Sequence, residues 1–226
     1  MESDERSQLD IIQYQLKTMA FSVENSVKKS VHSLTNFDYE TARLVIEEDK
    51  SVNSFEIDID NSTFRFLALA LDRIEPDVLR YVMSVQKLNP ILERIGDHSV
   101  NIAESVVSLV DMNYNNSLFA IDTMSEQCIE ILHDALRSLF DADPSLANDV
   151  LSRDTIVDNQ YDSIIEELKE TLLTGESALS FDACFTLFRI CKDLERISDL
   201  SMNIAEEVMY VYEGIVVKHQ GAMSRI

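Results

Sequence analysis

At 226 residues the chain is long enough for two domains of about 100 residues each, and its 46% hydrophobic content supplies a core, which argues against intrinsic disorder. A formal net charge of −22 excludes a nucleic-acid-binding surface and direct docking on anionic lipid, both of which need a basic face. Gly (4), Pro (3) and Trp (0) are scarce, a composition that favours helices.

The acidic N-terminus, Met1-Glu2-Ser3-Asp4, is followed by no apolar stretch of the kind a signal peptide requires. The first helix is expected from about Asp4 to Leu34, because Leu9, Ile12, Leu16, Met19, Val23 and Val27 form one stripe at three- and four-residue steps. Thr35-Asn36-Phe37-Asp38 breaks it, with Asp38 placed to cap a second helix that runs to a stop near Pro76. A third helix resumes around Asp77 and reaches about Asp111, with a kink or irregular turn expected at Pro90. The fourth covers about Ser117 to Phe140, the fifth Pro144 to Leu173, and the sixth Ser180 to Tyr212, closed by Gly214. No window approaches the ~18 apolar residues of a membrane span. Cys128, Cys184 and Cys191 show no CxxC spacing, so packing in a reducing compartment is their expected role.

These six helices are two copies of one plan. Leu92-Glu93-Arg94-Ile95-Gly96-Asp97-His98-Ser99-Val100-Asn101-Ile102-Ala103-Glu104 recurs as residues 194–206, with ten of thirteen positions identical at an offset of 102. At an offset of 105, Asp38 meets Asp143, Ala42 meets Ala147, Asp49 meets Asp154, and Val52-Asn53 meets Val157-Asp158. The expected fold is all-α, two tandem three-helix bundles over residues 1–112 and 113–216, with 217–226 as a C-terminal tail.

At about 100° per residue, Glu93, Asp97, Asn101 and Glu104 fall within roughly 80° of one another on their helix, and so do Glu195, Asp199, Asn203 and Glu206. The second and fifth helices add Asp49/Asn53 and Asp154/Asp158, again four apart, with Glu56 one turn beyond Asn53. Two such faces packed together repel unless a cation lies between them, since like charges at 4 Å cost about 1 kcal/mol even in water. Arg94 and Arg196 stand one residue from the first acid rather than four, a spacing that does not obviously neutralise it. An oxygen-only set of carboxylates and amides suits magnesium, calcium, manganese or iron. A ferritin-like di-iron site would need two ExxH motifs, and the chain has one, Glu130-Ile131-Leu132-His133. No P-loop, GxSxG or nucleophile–base pair points to an enzyme.

The two Leu-Glu-Arg-Ile-x-Asp-x-x-x-Asn-Ile-Ala-Glu segments, with Glu207-Val208-Met209-Tyr210 leading to Glu213-Gly214, resemble the hallmark of the PhoU family over nearly the whole chain. The resemblance implies a cytoplasmic, often dimeric regulator of two spectrin-repeat-like bundles related by pseudo-twofold symmetry. Such a protein restrains phosphate uptake through a phosphate ABC transporter and a sensor histidine kinase, and reaches the inner face of the membrane only through those partners. A relative's role, such as regulating a sodium–phosphate cotransporter, and a metal-free helical scaffold are the alternatives. The resemblance also implies iron or zinc clusters, or magnesium or manganese, on the acidic faces. Carried over by position, the ligands are Asp49, Asn53, Glu93, Asp97, Asn101 and Glu104 in one half. In the other they are Asp154, Asp158, Glu195, Asp199, Asn203 and Glu206. Three positions depart from the family pattern: Asn53 where an acid would complete a pair, Val78 before Leu79-Arg80 where the family has Asp, and Pro90.

Overall fold

The structure, a computed structural model, describes residues 3–70, 73–115, 118–174 and 179–215, without the side chains of residues 3, 50, 51 and 53. Its elements are α1 (Ser3–Asn36), α2 (Tyr39–Ala70), α3 (Pro76–Asp111), α4 (Ile121–Phe140), α5 (Pro144–Leu151), α6 (Asp154–Thr174) and α7 (Phe181–Glu213). No strand occurs among the described residues. The start of the fourth helix expected at Ser117 lies outside them, as does the tail from Val216.

The stripe of α1 is buried as its spacing requires: Ile12, Leu16, Met19, Val23 and Val27 are all inaccessible to solvent. Phe37 ends α1 in the left-handed region (φ 50°), the Asp38 amide donates back to the Ser33 carbonyl (2.9 Å), and the Asp38 carboxylate accepts from the Thr41 amide (3.1 Å). The second half repeats this corner 105 residues on. Ala142 has φ 54°, the Asp143 amide donates to Ser138 (2.9 Å), and the Asp143 side chain accepts from the Leu146 amide (3.0 Å). The duplication therefore extends from sequence to backbone geometry.

Helices α1, α2 and α3 pack on one another, and α4, α5, α6 and α7 do the same. The halves join where α3 lies along α7 and α1 meets α4, and one contiguous apolar core runs through both. Cys128 and Cys191 belong to it, and burial pushes both thiols up to about 12.

Two expectations are corrected. Helix α3 runs without interruption through Pro90, whose ring is on the exposed side of the helix. The helix expected over 144–173 is instead two, α5 and α6, parted at Ser152-Arg153. There the Ser152 hydroxyl donates to the Asp149 carbonyl (2.6 Å), while Arg153 forks to Asp134 on α4 (2.8 Å) and to Asp149. This tertiary anchor tightens the turn, whereas Glu47-Glu48, the counterpart pair in α2, stays helical. In the second bundle α5 and α6 together form the middle arm.

Candidate metal centre

Helices α6 and α7 form an antiparallel hairpin, and its acids meet near the start of α6 and the middle of α7. Four-residue spacing aligns Asp154, Asp158 and Asp162 on one face of α6, and Glu195 with Asp199 on α7. Across the pair, Asp158, Glu195 and Asp199 each offer a carboxylate oxygen within 4.8 Å of the other two. Asp158 is exposed; Glu195 and Asp199 are half-buried.

The electrostatics register the crowding. Burial holds the Asp158 carboxyl above the usual range, and the charges of Asp199, Asp154, Glu195 and Asp162 push the same way. Asp199 is also raised, by burial and then by Glu195, against the opposing pull of Arg196 and Lys192. Those two cations sit inside the site. Arg196 Nη1 donates to Asp199 Oδ2 at 3.1 Å, three residues along the helix, while its Nε stays 3.7 Å from Oε2 of Glu195, the first acid, where little neutralisation is expected. Lys192 Nζ lies 2.8 Å from both oxygens of Glu195 but donates a hydrogen bond only to Oε1; the buried Oε2 has no donor aligned on it. Three carboxylates this close are a donor set that a hard cation fits, with Lys192 Nζ (2.8 Å) and Arg196 Nε (3.7 Å) beside Glu195 Oε2 in its place.

In the first half α2 and α3 bring the equivalent acids together more loosely. Glu93 is raised by burial, then by the charges of Asp97, Glu56 and Asp49, with Arg94 opposing. The Asn53 side chain lies outside the described residues. Asn101 turns towards the other half: its Nδ2 donates to Asp193 Oδ1 (3.3 Å), the same oxygen that lies 2.8 Å from His98 Nδ1. Glu104 is exposed, and Asn203 and Glu206 are half-buried along α7; among the described residues neither Glu104 nor Glu206 joins the tight group. Asp162 and Lys192 were not singled out in the sequence. A third four-residue step after Asp158 and a cation three residues before Glu195 were the available signals.

The model of the PhoU domain matches residues 16–106 and again 121–208, one match per bundle. The chain belongs to the PhoU family. Among curated relatives, the phosphate-specific transport system accessory protein PhoU of Escherichia coli K12 is 29% identical over 95% of this chain and 88% of its own. The PhoU homolog of Aquifex aeolicus is 32% identical over 94% of this chain and 95% of its own. The crystal structure of PhoU from Pseudomonas aeruginosa superposes with a TM-score of 0.86 at 28% identity, covering 93% of this chain and 99% of that one. PhoU from Streptococcus pneumoniae gives a TM-score of 0.84 at 24% identity over 95% and 99%, a likeness of fold.

Proposed function

We propose that this chain is a cytoplasmic regulator of phosphate uptake that works as an adaptor. It restrains a phosphate ABC transporter, and phosphate-starvation signalling through a sensor histidine kinase, while a divalent or trivalent cation sits between α6 and α7. Support for the phosphate part comes from family membership and from relatives named as accessory proteins of phosphate-specific transport that match nearly end to end. The observation that carries the metal part is the convergence of Asp158, Glu195 and Asp199, one carboxylate oxygen of each within 4.8 Å of the other two. A multivalent cation supplies the positive charge these groups need. Asp158, Glu195 and Asp199 would hold it, with Asp154 and Asp162 adding to the local negative potential. Lys192 and Arg196, released from the carboxylates, would turn outward and change the charge that the α6–α7 face presents to a partner. The chain acts as a homodimer in this reading, which sedimentation velocity checks.

One observation favours a second reading, a scaffold or a regulator of another ion transporter, such as a sodium–phosphate cotransporter, without obligatory metal. Lys192 and Arg196 already bridge Glu195 and Asp199, so the face is partly compensated by the chain itself. Elemental analysis of protein purified without chelator separates the two. Stoichiometric metal in the wild type and its loss in Glu195→Gln/Asp199→Asn is the expected result; equal content in both proteins sinks the metal part. The phosphate part fails if deleting the gene leaves phosphate uptake unchanged in phosphate-replete cells.

A further inference from the structure

Above the metal centre the groove between α6 and α7 changes character. Phe181, Phe185 and Phe188 stack in near-parallel steps of 6.5 and 6.3 Å, and Phe188 lies 6.4 Å from Tyr161. With Ile165, Leu168 and Leu172 they wall a cavity of about 350 Å³. Its aromatic side is far more open than a fold needs: Phe181 is 69% exposed and Phe185 55%. The duplicated architecture supplies an internal comparison. At the matching places the first bundle has Leu79, Met83 and Gln86 opposite Asp60, Thr63 and Leu67, and Gln86 and Asn89 donate to Asp60 (3.4 and 2.9 Å). The first bundle thus carries a polar network at that place, with Met83 the one large side chain left open (46%), so the phenylalanine ladder answers to something outside the fold.

Charge selects the occupant. Helix α6 carries six acids against the single Lys169. Lys169 lines the cavity and is paired with Glu166 (2.9 Å), while Asp162 and Asp182 stand exposed on the two helices that wall it. An anionic lipid surface is repelled by that rim, and a second copy docking through this same face would set the acids of its own α6 against it. We propose that the upper α6–α7 groove docks an amphipathic helix of a partner protein, whose stripe of large aliphatic side chains sits on Phe181, Phe185 and Phe188 while flanking Lys and Arg residues meet the acidic rim. This rests on the adaptor reading above and gives the adaptor's docking segment a chemistry. Tyr161 links the groove to the metal centre, because Lys192 lies over its ring (5.2 Å to the centroid) while holding Glu195.

The chain has no tryptophan, so a Trp-bearing peptide reports its own binding without background. The probe is a synthetic amphipathic helix of Leu and Lys with one Trp, titrated with the full chain at physiological salt, with chelator and again with manganese. A saturable blue shift is expected, about tenfold weaker with Phe181→Ser/Phe185→Ser, which leaves every charge in place. The same peptide with Glu replacing Lys should not bind. Equal affinity of the double variant and the wild type overturns the proposal, as does equal binding of the two peptides. Two further results overturn it by naming another occupant: phosphatidylglycerol vesicles that capture the wild type but not the double variant, or self-association that the double variant abolishes. Glu195→Gln/Asp199→Asn keeps the docking and the metal apart, since the peptide should bind that protein with chelator as it binds the wild type.

Discussion

Carboxylates gathered across α6 and α7 work against the fold that gathers them, and Asp158 shows this most directly. Burial and four neighbouring acids hold its folded pKa above its ordinary value. Between those two values the folded chain binds a proton more readily than the unfolded chain, so this group's contribution to stability falls as pH rises through the window and is restored on acidification. Asp199 and Glu93 act in the same direction. Asp158→Asn should therefore stabilise metal-free protein at neutral pH by roughly 0.5 kcal/mol after allowance for solvent screening, about 1–2 °C in Tm. The gain should shrink as pH falls through the raised pKa; calorimetry of wild type and variant in chelator would show a loss or a pH-independent gain if the acids are not in conflict. Gly96 presents the opposite case, a position with unused room. Its counterpart is Ser198, and a Cβ added there meets Val52 Cγ1 at 3.4 Å and Val23 Cγ2 at 3.9 Å, ordinary contact distances. Gly96→Ala should raise stability by about 0.5–1 kcal/mol through helix propensity, and a lower denaturation midpoint would mean that Val52 cannot accommodate the methyl.

The break between α5 and α6 is set by one side chain. Arg153 joins Asp134 of α4 to Asp149 of α5, and those hydrogen bonds hold its guanidinium pKa above its ordinary value, despite burial. Arg153→Ala should lower stability by about 1 kcal/mol in urea unfolding, and Arg153→Lys should recover only part, because an ammonium cannot reproduce the planar fork. Full recovery by lysine would reduce the anchor to simple charge pairing. The same break marks where sequence reasoning stops. Ser152-Arg153 contains neither Gly nor Pro, and the partner that bends the chain there lies on another helix. Ends set by local chemistry were legible: Asp38 and Asp143 cap, Ser180 accepts from the Ala183 amide, and Gly214 takes φ 70° beyond α7. Helical spacing found Asp158, Glu195 and Asp199. It could not show that Asn101 turns to Asp193, a contact spanning 92 residues, nor that Arg196 reaches Asp199. Asp162 is absent from what the two halves share, since its counterpart is Ile57, so the repeat does not mark it.

The acidic motifs lie on α3 and α7, which pack along each other where the halves join, so the seam between them fixes how the motifs stand to one another. That seam is polar at several points. Arg80 donates to the Val211 carbonyl (3.3 Å), His98 and Asn101 meet Asp193, and Glu207, almost fully buried, takes Lys87 on both oxygens (3.1 Å) and the Ser84 hydroxyl (3.0 Å). Lys87 also lies over the Tyr210 ring, 4.5 Å from its centroid, so its position is held from two sides. Removing the ammonium alone leaves a buried carboxylate short of its charged partner, which costs on the order of 2 kcal/mol. Removing both charges leaves no such group, and a well-packed apolar pair is close to neutral. Lys87→Met should therefore destabilise by that amount, whereas Lys87→Met/Glu207→Met should recover most of the loss. A double-mutant cycle by chemical denaturation measures the difference. A silent Lys87→Met would mean that this ion pair does not hold the seam, and that the halves are joined by its other contacts, those of Arg80, His98 and Asn101 among them.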